Sequence, residues 1–179
     1  MAGNVNPPAA RRYPHRITWL VFIALLLFAA GFVTVTAPEL PATVASHFDG
    51  AGRANAFMSR SGYTRFVLCF TLGLPIIVVA ILKTVYSRAP DLKLPNRDYW
   101  MAPQRIAGTR AFLTAHGVWF GSLLVILGCC VHWLELAANR EIPPHLSSQA
   151  FIAVMIAFLL AAAAWAAALR FAFRRPAGE

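Results

Sequence analysis

Apolar positions in this chain gather into four long blocks separated by polar stretches. Ile17–Val35 carries no charged residue. Phe66–Leu82 is also uncharged, and Lys83 and Tyr86 extend it by sending their polar ends towards lipid headgroups. Ala111–Leu134 is interrupted by His116 and His132, and Ala150–Leu169 is apolar throughout and rich in alanine. A spanning helix needs about 20 mostly apolar residues to cross roughly 30 Å of hydrocarbon. Lipid offers bare backbone no hydrogen-bond partner, so each block is predicted as a helix and none as a strand. The expected helices run over about 17–35, 66–86, 110–136 and 149–173, after a polar tail at 1–16. Residues 17–179 then form one four-helix domain, an all-α integral membrane protein with a structured outer loop of about 28 residues. The first block exceeds the ~7–15 residue core of a signal peptide and reads as a retained helix.

Composition sharpens this reading. Of 179 residues, 59% are hydrophobic and 13% charged, against roughly 45–50% and about 25% in a soluble domain. The net charge of +9 is divided among segments that flank the apolar blocks, so nucleic acid is excluded as a partner and the lipid bilayer is the expected one. Twelve basic residues fall on one side: Arg11, Arg12 and Arg16, then Lys83, Arg88, Lys93, Arg97, Arg105 and Arg110, then Arg170, Arg174 and Arg175. Only Arg53, Arg60, Arg65 and Arg140 fall on the other. The positive-inside rule places both termini in the cytoplasm of a bacterial inner membrane. Tyr99 and Trp100 are expected as interface anchors there. Cys69, Cys129 and Cys130 lie inside apolar blocks and read as small buried hydrophobes.

Small residues suggest how the helices pack. Gly117, Gly121 and Gly128 share one face of the third helix, together with Thr114, His132 and Glu135. Ala153, Ala157, Ala161, Ala164 and Ala168 share a face of the fourth, and the two stripes are predicted to touch. Gly73 and Pro75 predict a structural kink near Leu74. In the outer loop Leu40, Val44 and Phe48 recur every four residues, which predicts a short helix lying on the membrane. Pro41 suits its first turn, and Gly50 and Gly52 suit its end.

This loop carries a resemblance. Leu40-Pro41, His47-Phe48-Asp49, Gly52 and Phe57-x-Ser59-Arg60 resemble the bacterial membrane domain that also forms the N-terminal part of SdpI-type immunity proteins. Pro95-Asn96-Arg97-Asp98-Tyr99-Trp100, Ala138-Asn139 and Pro143-Pro144 continue it more loosely. The resemblance implies recognition of a secreted peptide toxin, or another membrane-active ligand, through His47, Phe48, Asp49, Arg53, Ser59 and Arg60. A small accessory subunit of a larger membrane complex is the alternative.

No nucleophile has a base in motif form, and Gly50-Ala51-Gly52 lacks the third glycine and the βαβ context of a dinucleotide loop, so neither an enzyme nor a cofactor is expected. His47, Asp49, His132, Glu135, Glu141 and His145 gather on the outer side. His132 and Glu135, on adjacent helical turns, are weak metal candidates without a signature motif, and no metal is expected. His116 is expected as a neutral imidazole bonded to a neighbouring helix. The absence of charge within the blocks disfavours a transporter or channel.

Overall fold

The computed structural model describes residues 15–89 and 92–174. Arg11, Arg12 and Arg175 lie outside these, as does most of the N-terminal tail. Helix α1 (His15–Thr36) ends in a single 3₁₀ turn at Ala37–Glu39. Strands β1 (Thr43–Phe48) and β2 (Ala54–Ser59) follow. Helix α2 (Arg60–Leu68) passes through a π turn at Cys69–Gly73 into α3 (Leu74–Arg88). A short α4 (Arg97–Trp100) precedes α5 (Ile106–Ala138) and α6 (Ser148–Ala172). Four helical segments, Arg16–Glu39, Arg60–Arg88, Ile106–Ala138 and Ser148–Ala172, are long and apolar enough to cross a membrane.

The chain is therefore mostly helical, but it is not all-α. The loop folds as an antiparallel hairpin, pairing Thr43 with Ser59 and Val44 with Met58, with irregularities around His47. A spacing of four is a multiple of the strand's period of two, so Leu40, Val44 and Phe48 satisfy either element. Hydrogen bonding decides between them. Asp49 Oδ1 accepts from the amides of Ala51 and Arg53, and the Asp49 amide donates to the Arg53 carbonyl. This turn occupies the stretch where a helix would have ended. The second spanning segment also starts at Arg60 rather than 66, because Ser59 caps it by accepting from the Gly62 amide at 3.1 Å.

Helix α5 is the spine. Three of its glycines face α3, α1 and the π turn, not α6: a Cβ at Gly117 would meet Leu82 and Tyr86, one at Gly121 would collide with Val79 and press on Phe22, and one at Gly128 would meet Thr71. The predicted contact between glycine and alanine stripes does not form. Helix α6 packs instead on the opposite side of α5, where Ala157 and Ala161 line an apolar cleft with Leu123, Ile126, Leu127 and Cys130. His116 makes the join. Its Nε2 donates to the Trp165 carbonyl at 3.0 Å, and Trp165 Nε1 donates back to the His116 carbonyl at 2.9 Å. The two rings stack at 4.7 Å. Lipid gives apolar burial little drive, so such paired bonds are what hold a helix of this kind.

Pro75 lacks an amide proton and crowds the preceding turn. The chain absorbs this by widening into the π turn, which contains Thr71 and sets it against Gly128. At the far end of the bundle Trp100 is 1% exposed. It is a core residue, not a headgroup anchor. Its Nε1 donates to the Phe173 carbonyl at 3.0 Å, beside Asn96 Nδ2 on the same oxygen. Tyr99 packs edge-on to Trp100 with the Arg105 guanidinium 3.9 Å above its ring.

Gly128→Ala and Gly121→Ala are expected to destabilise the bundle by about 1–3 kcal/mol through overpacking. Gly31→Ala, with open space around it, is expected to be neutral or slightly stabilising. Reversible unfolding in mixed micelles checks this; equal effects at the three positions would contradict the packing.

Candidate functional site

The helices on either side of the hairpin are tied to one imidazole. Thr36, at the end of α1, donates its hydroxyl proton to the Phe32 carbonyl at 2.7 Å. Its oxygen can then only accept from His132 Nε2, 2.9 Å away. That places the ring proton on Nε2 and leaves Nδ1 as an acceptor for Tyr63 OH, also at 2.9 Å. Tyr63 lies four residues beyond β2. The entry and exit of the hairpin thus converge on a fully buried side chain of α5. Phe32 and Tyr63 pack against the ring. With both nitrogens engaged, His132 has no lone pair free for a metal, and among the described residues no three His, Cys, Asp or Glu side chains converge.

One turn after His132 on the same helix comes Glu135. It lines a cavity of about 350 Å³ with Ser46, His47, Phe48, Asp49, Leu146, Ser148, Phe151 and Ile152. Glu135 Oε2 is buried and has no hydrogen-bond partner. The hairpin roofs this cavity and is held there at two points. Asn139 acts as a third strand: its Oδ1 accepts from the Ala45 amide at 2.8 Å and its Nδ2 donates to the Ala45 carbonyl at 3.0 Å. The segment between α5 and α6 then clasps the tip, with the Leu146 amide donating to the Gly52 carbonyl at 2.8 Å and His145 Nε2 donating to the Ala51 carbonyl at 3.1 Å. Gly52 has φ +81°, and a side chain there would strike the Leu146 carbonyl. Only glycine suits the position.

The structure divides the six predicted recognition residues. His47, Phe48 and Asp49 line the cavity. Arg53 pairs with Asp49, Nε to Oδ2 at 3.0 Å, and closes the turn. Ser59 is the α2 cap, and Arg60 lies in a separate recess near α1. Backbone bonding from Arg53 holds the Asp49 carboxyl below its ordinary value of 3.8. A depressed carboxyl contributes stability above the ordinary value and loses it as pH falls through the folded one. Thr36, Tyr63 and Asn139 escaped sequence reasoning as a group. The available signal was an imidazole inside an apolar block, which needs partners on its neighbours.

Fold and site together define a multi-pass membrane protein with a small β-hairpin mounted on its helix ends. The family described as a domain of unknown function, DUF1648, matches residues 22–77, from α1 through the hairpin to the start of α3. Neither a curated protein nor a solved structure matches the chain.

Tyr63→Phe is expected to cost about 1–3 kcal/mol by leaving His132 Nδ1 buried and unsatisfied; detergent-based unfolding measures it, and a neutral result would contradict the relay. Asn139→Ala is expected to raise amide exchange across residues 43–48 of β1 while the α5–α6 contact stays protected. Acidification below pH 3.8 should raise exchange at the 49–53 turn first. Unchanged exchange in both cases would contradict the account of how the hairpin is held.

Proposed function

We propose that this chain is a non-enzymatic protein of a bacterial inner membrane that recognises an amphiphilic ligand, such as a membrane-active peptide toxin, beneath its hairpin. The observation that carries the reading is Glu135. A carboxyl oxygen shielded from water and without a hydrogen-bond partner is costly. Here it sits in a cavity whose size falls in the small-ligand range of about 300–1,000 Å³. A ligand bringing an ammonium or amide N–H group would supply the missing donor. Phe48, Leu146, Phe151 and Ile152 offer that ligand an apolar wall. Asp49 does not compete, because Arg53 already satisfies it. The basic residues flanking the helices support an outward-facing hairpin, with the termini inside, where a secreted ligand would arrive. The resemblance of the loop to SdpI-type immunity proteins points the same way.

A second reading, an accessory subunit of a larger membrane complex, draws on α6. None of its residues is buried, and its outer surface is rich in alanine. Small residues on an open helix favour close approach by another helix.

The test uses dodecylamine as the ligand probe and dodecanol as its uncharged control, in a non-ionic detergent. The amine is expected to raise the Tm of the wild-type protein and the alcohol to leave it unchanged. Glu135→Gln should remove the response without losing the fold. An equal response in the variant, or none in the wild type, would overturn the proposal. Recovery of the native protein bound to other chains in the same detergent would favour the subunit reading.

A further inference from the structure

Arg60 and Arg65 lie outside the Glu135 cavity, and among the described residues no carboxylate pairs with either. Arg60 and Arg65 line a recess of about 670 Å³ with Thr34, Ser61 and Thr64, between the end of α1 and the first turns of α2. We infer that this recess binds the phosphodiester of an anionic glycerophospholipid in the leaflet on the hairpin side.

Each guanidinium is anchored through Nε and leaves its terminal nitrogens free. Arg60 Nε donates to the Pro41 carbonyl at 3.4 Å, and Arg65 Nε donates to the Ser61 carbonyl at 3.1 Å. A group held in this way presents its donors pre-oriented, in the fork that suits phosphate oxygens. No carboxylate competes within the recess. Glu39, next to its lining residue Pro38, is taken by Arg140 at 2.6 Å.

Depth selects the lipid as the source of the phosphate. Arg65 lies five residues into the second spanning segment, about 7.5 Å along the helix axis. Its bond to Ser61 turns the side chain back by one turn, towards the end of the helix. A charged group at this depth reaches for the headgroup layer. Ala37 and Pro38 give the same recess an apolar side that acyl chains can cover. A soluble anion would use the arginines but not this side.

Native mass spectrometry of the detergent-solubilised protein tests the site, with phosphatidylglycerol, phosphatidylcholine and glycerol 3-phosphate as probes. Phosphatidylglycerol is expected to be retained in preference to the other two. Arg60→Gln/Arg65→Gln should lower that retention by about tenfold, and the single exposed-site variant Arg65→Gln should lower it in part. Arg53→Gln, at the same end of the molecule, should leave it unchanged. Full retention by the double variant, or equal loss in Arg53→Gln, would overturn the inference. Glycerol 3-phosphate binding as tightly as the lipid would overturn the lipid assignment.

Discussion

The hydrogen bonds of His132 are the constraint on which the hairpin end of this molecule depends. A neutral imidazole inside an apolar bundle is tolerated only if both nitrogens find partners. Here they find Thr36 and Tyr63, one on each side of the hairpin in sequence. The direction of donation is settled by the Thr36 proton, which goes to Phe32. One buried side chain of α5 therefore ties the end of α1 to the first turn of α2, the two points between which the hairpin is strung.

The bundle that carries this arrangement is asymmetric. Helices α1 and α3 press closely on α5 because Gly117, Gly121 and Gly128 leave room for Leu82, Val79 and Thr71. The π turn ahead of Pro75 is part of the same fit, since it presents Thr71 to Gly128. Helix α6 makes a looser contact, built around the reciprocal His116–Trp165 bonds. Packing is thus tight where the hairpin is anchored and open where α6 completes the wall of the cavity. An open cavity beside α6 and a close-packed mount on the other helices are compatible for that reason.

The two recesses differ in chemistry. One contains an unsatisfied carboxylate oxygen and suits a donor or cation. The other contains two unpaired guanidinium groups and suits an anion. Arg53 engages the second carboxylate that lines the first recess, and Arg140 engages Glu39, next in sequence to Pro38 of the second. Exposed pairs of this kind add little to stability.

The sequence by itself determined the solvent, the number of spanning segments and the bond between His116 and a neighbouring helix. Uncharged runs of such length have few alternatives in hydrocarbon, and a lone imidazole there demands a partner. It also placed small residues where helices meet, but not which helices. Glycines can receive any neighbour, and only the assembled bundle assigns α3 and α1 to them and leaves α6 on the other side. Likewise a four-residue spacing fits a helix or a strand, and the Asn139 and Asp49 bonds that favour the strand come from residues whose roles are set by folding. Trp100 read as an interface anchor because its neighbours are polar and basic; the Phe173 carbonyl, 73 residues away in sequence, draws it into the core. Local pattern reports the environment of a segment, whereas partners distant in the chain are decided by the geometry that brings them together.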